Sequence, residues 1–178
     1  MMTALLVASL LAQREVVVVP SSAAALDWAP VLGLLREAPL ETVATDRRLF
    51  RFFWLPPFPS QRRIVVRIQE TPAGPEIEAT AVTSEGKVDA HIKRPLRPTE
   101  WEAVAAAREA GFWKYHPEAF PQPVSDGAYW VIEGQASGER LRMVQHVPTA
   151  GAFRSLGYLM FRLSGITLRP GEESLKER

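Results

Sequence analysis

Gly127-Ala128-Tyr129-Trp130-Val131-Ile132-Glu133-Gly134-Gln135-Ala136-Ser137-Gly138-Glu139-Arg140-Leu141-Arg142-Met143-Val144-Gln145-His146 is the stretch whose reading decides the fold. Two alternating runs flank Ser137-Gly138, a dipeptide suited to a two-residue hairpin turn. Closing the turn there sets Ala136 against Glu139, Gln135 against Arg140, Glu133 against Arg142, Val131 against Val144 and Tyr129 against His146. The opposite face then gathers Trp130, Ile132, Leu141 and Met143. Both faces are chemically consistent. A slip of one residue would set Arg142 beside Ile132, and a strand's period of two turns such a slip into an exchange of faces. Downstream, the spacing predicts a helix over 151–164, with Phe153, Leu156, Met160 and Leu163 inward and Arg154, Tyr158 and Arg162 outward. Gly157 in its middle costs about 1 kcal/mol against Ala. A close helix-on-sheet contact would account for it.

Upstream, residues 47–93 read as four strands in a meander. Pro56, Pro57 and Pro59 end the first, Pro72-Ala73-Gly74-Pro75 joins the second to the third, and Glu85-Gly86 leads into the fourth. Pairing Phe52 with Ile64 and Phe50 with Val66 gathers Phe50, Phe52, Trp54, Ile64, Val66 and Ile68 on a core face. The other face, expected to be wet or lightly covered, holds Arg51, Phe53, Arg63, Val65 and Arg67. A weak helix is predicted over 26–36, with Leu26, Val31, Leu34 and Leu35 on one side. A stronger one is predicted over 100–110, with Thr99 as its cap, Glu102 completing a capping box and Gly111 ending it. Residues 14–19 read as a short strand or as the end of a processed segment. Runs of strands broken by single helices give an α+β fold: an antiparallel sheet of about six strands, a four-strand meander plus the C-terminal hairpin, with two to three packed helices.

A chain of 178 residues is one domain by length. It buries about two-thirds of its unfolded surface and needs no covalent staple. The absence of cysteine excludes disulfides, thiolate metal sites and cysteine nucleophiles. A net charge of +1 gives no global field towards nucleic acid or anionic lipid. Ala4 to Ala12 is an uncharged apolar run that suits a signal-peptide core and is too short to span a bilayer. Residues 1–25 are therefore a candidate signal or processed segment, with cleavage near Ala12 or Ala25. Residues 26–168 form the domain, and 169–178 a charged, flexible tail. No membrane span is expected.

Phe112-Trp113, Gly127-x-x-Trp130-x-Ile132-Glu133-Gly134 and Phe153-Arg154-x-Leu156-Gly157 together form a pattern that resembles a loose class of uncharacterised exported bacterial α+β proteins. The resemblance covers about residues 98–166 closely and the earlier strands in outline. It implies the fold and export. Its motifs are structural, and it implies no functional residue.

The candidate chemistry is sparse. His91, His116 and His146 lack ligand spacing such as His-x-x-x-His. His116, Glu118 and Asp126 share a loop stiffened by Pro117, Pro121 and Pro123. These residue types can bind a cation or transfer protons, but their spacing matches no ligand pattern, and an ordinary surface connection is the simpler reading. No nucleophile elbow, phosphate loop or dinucleotide fingerprint is present. No catalytic residue, cofactor or metal is assigned. The strongest non-random feature is the run 47–69, which holds Arg47, Arg48, Arg51, Arg62, Arg63 and Arg67 among five aromatics and no acid. Its outward set Arg51, Phe53, Arg63 and Arg67 is the candidate binding face. A guanidinium and aromatic surface can dock a protein or envelope polymer, or stack single-stranded bases. A wet face on which arginine stems cover apolar neighbours is the plainer reading. The leading expectation is a small non-catalytic binding or accessory protein of the bacterial envelope, periplasmic or secreted. The alternatives are an enzyme, hydrolase-like, with its site at 114–127, and a cytoplasmic single-stranded nucleic-acid binder. Near-neutral charge counts against the last.

Overall fold

The computed structural model describes residues 15–18, 27–44, 47–108, 127–136, 138–148, 150–172 and 175. Its strands are β1 (Glu15–Val18), β2 (Leu49–Leu55), β3 (Arg63–Thr71), β4 (Gly74–Val82), β5 (Val88–Pro95), β6 (Tyr129–Ala136) and β7 (Glu139–His146). Its α-helices are α1 (Trp28–Leu35), α2 (Pro98–Ala107) and α3 (Gly151–Ser164). The strands form one sheet in the order β1-β7-β6-β2-β3-β4-β5. The six from β2 to β7 are antiparallel throughout, and β1 lies parallel to β7 at the edge. The class is α+β.

The C-terminal hairpin adopts the register argued from its sequence, from Tyr129 opposite His146 to Ala136 opposite Glu139. Its partner β2 runs up the middle of the sheet between β6 and β3. On one face α2 and α3 pack over Phe50, Phe52, Trp54, Ile64, Val66, Ile68, Trp130 and Ile132. Each such side chain, fully buried, contributes roughly 1.5–3 kcal/mol. Gly157 is where α3 meets the sheet: a Cβ there would come 2.8 Å from Trp130 Cε3 and 3.0 Å from Phe52 Cε2. On the other face α1 packs over Phe53, Leu55, Val65, Val82, Val131 and Val144 through Leu32 and Leu35. Among the described residues no helix is long and apolar enough to cross a membrane.

Five expectations need correction. The face of β2 and β3 expected to be wet or lightly covered is closed over along β2, where every residue is buried. Its apolar half, Phe53 and Val65 with Val131 and Val144, is itself a seat for α1. The β2–β3 register lies two residues from the pairing expected, with Phe52 opposite Val66 and Phe50 opposite Ile68. A slip of two keeps the faces and changes the partners. The cause lies in the turn: Gln61 N–H donates to Phe58 O at 3.1 Å, and Arg62 turns into buried ion pairs, so the loop is longer than the prolines alone imply.

Helix α2 begins two residues earlier than the Thr99 cap allows. Arg97 is its N-cap and Pro98 its first residue, a position that suits proline's fixed φ. Glu100 reaches back to accept from Arg97 N–H at 2.9 Å. Gly111, Phe112 and Trp113 lie outside the described residues. The tail is not loose where it is described. Glu172, 2% exposed, accepts from Arg62 Nε at 2.9 Å and Nη2 at 2.6 Å, and Leu175 is buried in the main core. Finally, the sheet takes in β1, ahead of the expected domain start at 26. The other residues of 1–25 lie outside the described set.

Candidate functional site

Alternation carries the site. On the α1 side of the sheet, the apolar rows at Leu55 and Phe53 give way to one charged row. By register it runs Arg142, Glu133, Arg51, Arg67, Glu78, Lys93 across β7, β6, β2, β3, β4 and β5. The signs alternate except in the middle, where Arg51 and Arg67 stand side by side. Glu133 answers the first, with Oε2 at 2.5 Å from Arg51 Nη2, and its Oε1 accepts from Arg142 Nε at 2.5 Å. Glu78 answers the second, with Oε2 accepting from Arg67 Nη2 at 2.7 Å. Arg51 is 1% exposed and Glu133 0%, so this is an ion pair without water.

Like charges opposite one another destabilise a sheet, and here a loop residue compensates. Helix α1 ends at Arg36, whose φ of 57° is left-handed, with Arg36 and Glu37 N–H donating to Gly33 O at 3.2 Å and Leu32 O at 2.9 Å. That turn drops Glu37 onto the arginines. Its Oε2 lies 3.2 Å from Arg51 Nη1 and 3.3 Å from Arg67 Nη1, and its side chain is 6% exposed. Burial raises the Glu37 pKa above the usual carboxylate range, even though Arg67 and Arg51 pull it down. Burial also acts on Glu78, but hydrogen bonds from His91 and Arg67 outweigh it and hold that carboxyl below its ordinary value.

The segment after Glu37 is tied down from the sheet. Arg140 Nη2 donates to Val43 O at 2.7 Å, and Gln135 Nε2 donates to Ala44 O at 2.5 Å. Between this segment and β2–β3 a cleft of about 200 Å³ is left open. Arg51, Arg67, Gln69 and Leu49 form its floor, and Glu37, Thr42, Val43 and Arg47 its walls. Arg51 Nε and Arg67 Nε are buried there without a hydrogen-bond acceptor among the described residues.

The residues singled out from sequence are divided by this arrangement. Arg51 and Arg67 meet in the cleft. Phe53 is buried beneath Trp28, edge to face at 5.6 Å, so Arg51 and Phe53 present no outward docking surface. Arg63 stands apart, opposite Val82. His116, Glu118 and Asp126 lie outside the described residues. His91 contacts Glu78 at 3.1 Å, and His146 Nε2 lies 3.0 Å from Gly127 O. Among the described residues no cluster of His, Asp and Glu could hold a metal ion. Sequence reasoning missed Glu37, Arg47 and Gln69 as site residues. The expected register, which sets Arg51 opposite Val65, hid the signal for Glu37: only the observed pairing puts Arg51 beside Arg67 and calls for a counter-charge.

No protein-family model matches the chain, and no curated protein matches it.

Proposed function

We propose that this protein is a non-catalytic binding module of the bacterial envelope, and that its ligand sits in the cleft between the end of α1 and the Arg51–Arg67 pair. One observation carries the reading. Two guanidinium groups on neighbouring strands converge beside an open cleft, and among the described residues the one carboxylate that touches both comes from a loop. A charged group in a cleft, with its protonation shifted by burial and a specific charge partner, is a candidate functional group. Placement on strands holds them ready, so little ordering is lost on binding. Non-catalytic action is favoured because Glu37, Glu78 and Glu133 are each engaged by guanidinium groups. Export rests on the apolar run Ala4–Ala12 and on the resemblance of 98–166 to exported proteins.

Amide-resolved NMR titration of the full chain with a panel of small neutral, cationic and anionic polar molecules tests the cleft. A binder should shift residues 37–51 and 67–69, and Arg67→Gln should weaken it at least tenfold, the scale of a charge-assisted contact. Binders that map elsewhere and ignore Arg67→Gln would sink the reading. Recovery of only full-length, cytosolic protein from the native host would sink the compartment.

A further inference from the structure

We infer that the ligand of this cleft is a small organic monocarboxylate, and that Glu37 occupies its place until it arrives. The inference rests on the cleft reading above. Glu37 is the most loosely held of the three carboxylates on these two guanidinium groups. Its contacts at 3.2 and 3.3 Å compare with 2.5 and 2.7 Å for Glu133 and Glu78 on the same two guanidinium groups. Strong guanidinium–carboxylate contacts fall at about 2.7–2.9 Å, so the arginine pair is held by Glu37 but not saturated by it. The buried Nε atoms of Arg51 and Arg67, still without acceptors, say the same.

Glu37 can also leave. It belongs to no strand and follows Arg36, a non-glycine residue in the left-handed region. Swinging it outward breaks no sheet pairing, and its burial already disfavours its charged form.

Charge and volume specify the replacement. With Glu37 withdrawn, Arg47, Arg51, Arg67, Arg142 and Lys93 are answered by Glu133, Glu78, Glu41 and Glu76, an excess of one positive charge that falls at the cleft. One carboxylate neutralises that excess, and a phosphate dianion overshoots it. The cleft of about 200 Å³, room for several waters at ~30 Å³ each, lies beside the Glu37 carboxylate and suits a short-chain acid. Leu49 and Val43 offer apolar contact to its carbon chain, and Gln69 and Thr42 offer polar contact to any hydroxyl or carbonyl.

The probes are propionate, butyrate, inorganic phosphate and chloride at matched ionic strength and neutral pH. They are titrated into wild type, Glu37→Ala, Glu37→Gln and Glu37→Ala/Arg67→Ala, with binding read from amide shifts and folding from far-UV dichroism. The two monocarboxylates should bind wild type saturably, tighten about tenfold in Glu37→Ala and also tighten in the near-isosteric Glu37→Gln. They should lose that gain when Arg67 is removed too. Carboxylate affinity within twofold of wild type in both folded Glu37 variants overturns the inference, as does phosphate binding as tightly as carboxylate. A neutral or cationic molecule that binds in an Arg67-dependent way, with carboxylates silent, overturns the inference and leaves the cleft reading standing. Silence of every probe in the cleft overturns both.

Discussion

Replacing Arg51 with Met tests whether the charged row belongs to the fold. Arg51 and Glu133 are both buried, and their contact is 2.5 Å. Without the guanidinium, Glu133 Oε2 loses its counter-ion in a buried site, while Oε1 keeps Arg142 at 2.5 Å. Glu37 keeps only Arg67, and Ala38 O loses its donor at 2.6 Å. Breaking a buried pair on one side costs about 3–5 kcal/mol. The retained Arg142 contact sets the lower end, and the orphaned carbonyl adds about 1 kcal/mol, so roughly 4 kcal/mol is expected. That is a large part of a total that is typically about 5–15 kcal/mol. Arg51→Met/Glu133→Met removes both charges. Arg142, which also contacts Glu41 at 3.2 Å, can then turn to water. The double variant should lose only about 1–2 kcal/mol, because apolar replacement of a buried pair is often close to neutral. Urea melts with an unchanged m value give the numbers. A loss under about 1 kcal/mol for the single variant, or a double variant equal to the sum of its singles, would refute the view that these charges are buried and coupled.

Gly157→Ala sets two effects against each other. Helix propensity favours Ala by about 1 kcal/mol, whereas the added methyl would come 2.8 Å from the Trp130 ring, and overpacking costs about 1–3 kcal/mol. A net loss of about 1 kcal/mol and a Tm lower by about 2–4 °C follow; a thermal melt showing stabilisation would mean that α3 rides further from the sheet. At Glu100, hydrogen bonds from Arg94 and then Arg97 hold the pKa down from 4.5 to about 2. The folded state therefore favours the ionised form: its stabilisation is complete above about pH 4.5 and is lost as pH falls towards 2. Urea melts across that range should show a slope that Glu100→Gln removes, and Thr99→Ala should stay within about 0.5 kcal/mol because Thr99 is not the cap.

Much of the fold was legible because the sheet's instructions are local. In β6 and β7 every cross-strand pair follows from a two-residue turn and the chemistry of the residues themselves. In the β2–β3 hairpin the loop is closed by tertiary contacts, Arg62 to Glu172 and Asp89 and Gln61 to Gly171. Those partners lie far along the chain, so alternation recovered the faces and missed the pairing. The α2 cap went astray for a related reason. Thr-x-x-Glu at 99–102 is a good local signal, but Pro98 takes the first helical position and Glu100 is drawn to Arg94 and Arg97. The end of the chain looked solvated by its charge alone, and Glu172 is buried because Arg62 is waiting for it.

The site was half legible, and the geometry of α1 explains which half. Helix α1 lies across the strands: Trp28 stacks near Phe53 and Arg142, while Leu34 reaches Gly86 at the β4–β5 turn. A crossing helix masks a band about 10–12 Å wide, against roughly 30 Å of length in a nine-residue strand such as β3. The face beneath must then change character along each strand. It does: Phe53, Val65, Val131 and Val144 lie under the helix, and two residues further along each strand stand Arg51, Arg67, Glu133 and Arg142. That switch was readable in the residues, since no wet face needs Phe53 beside three valines. What could not be read from strand alternation is the occupant of the uncovered band. The loop after α1 lays Glu37 across two like charges without closing over them, and the cleft is the space left between a helix too narrow for the sheet and a loop too thin to fill it.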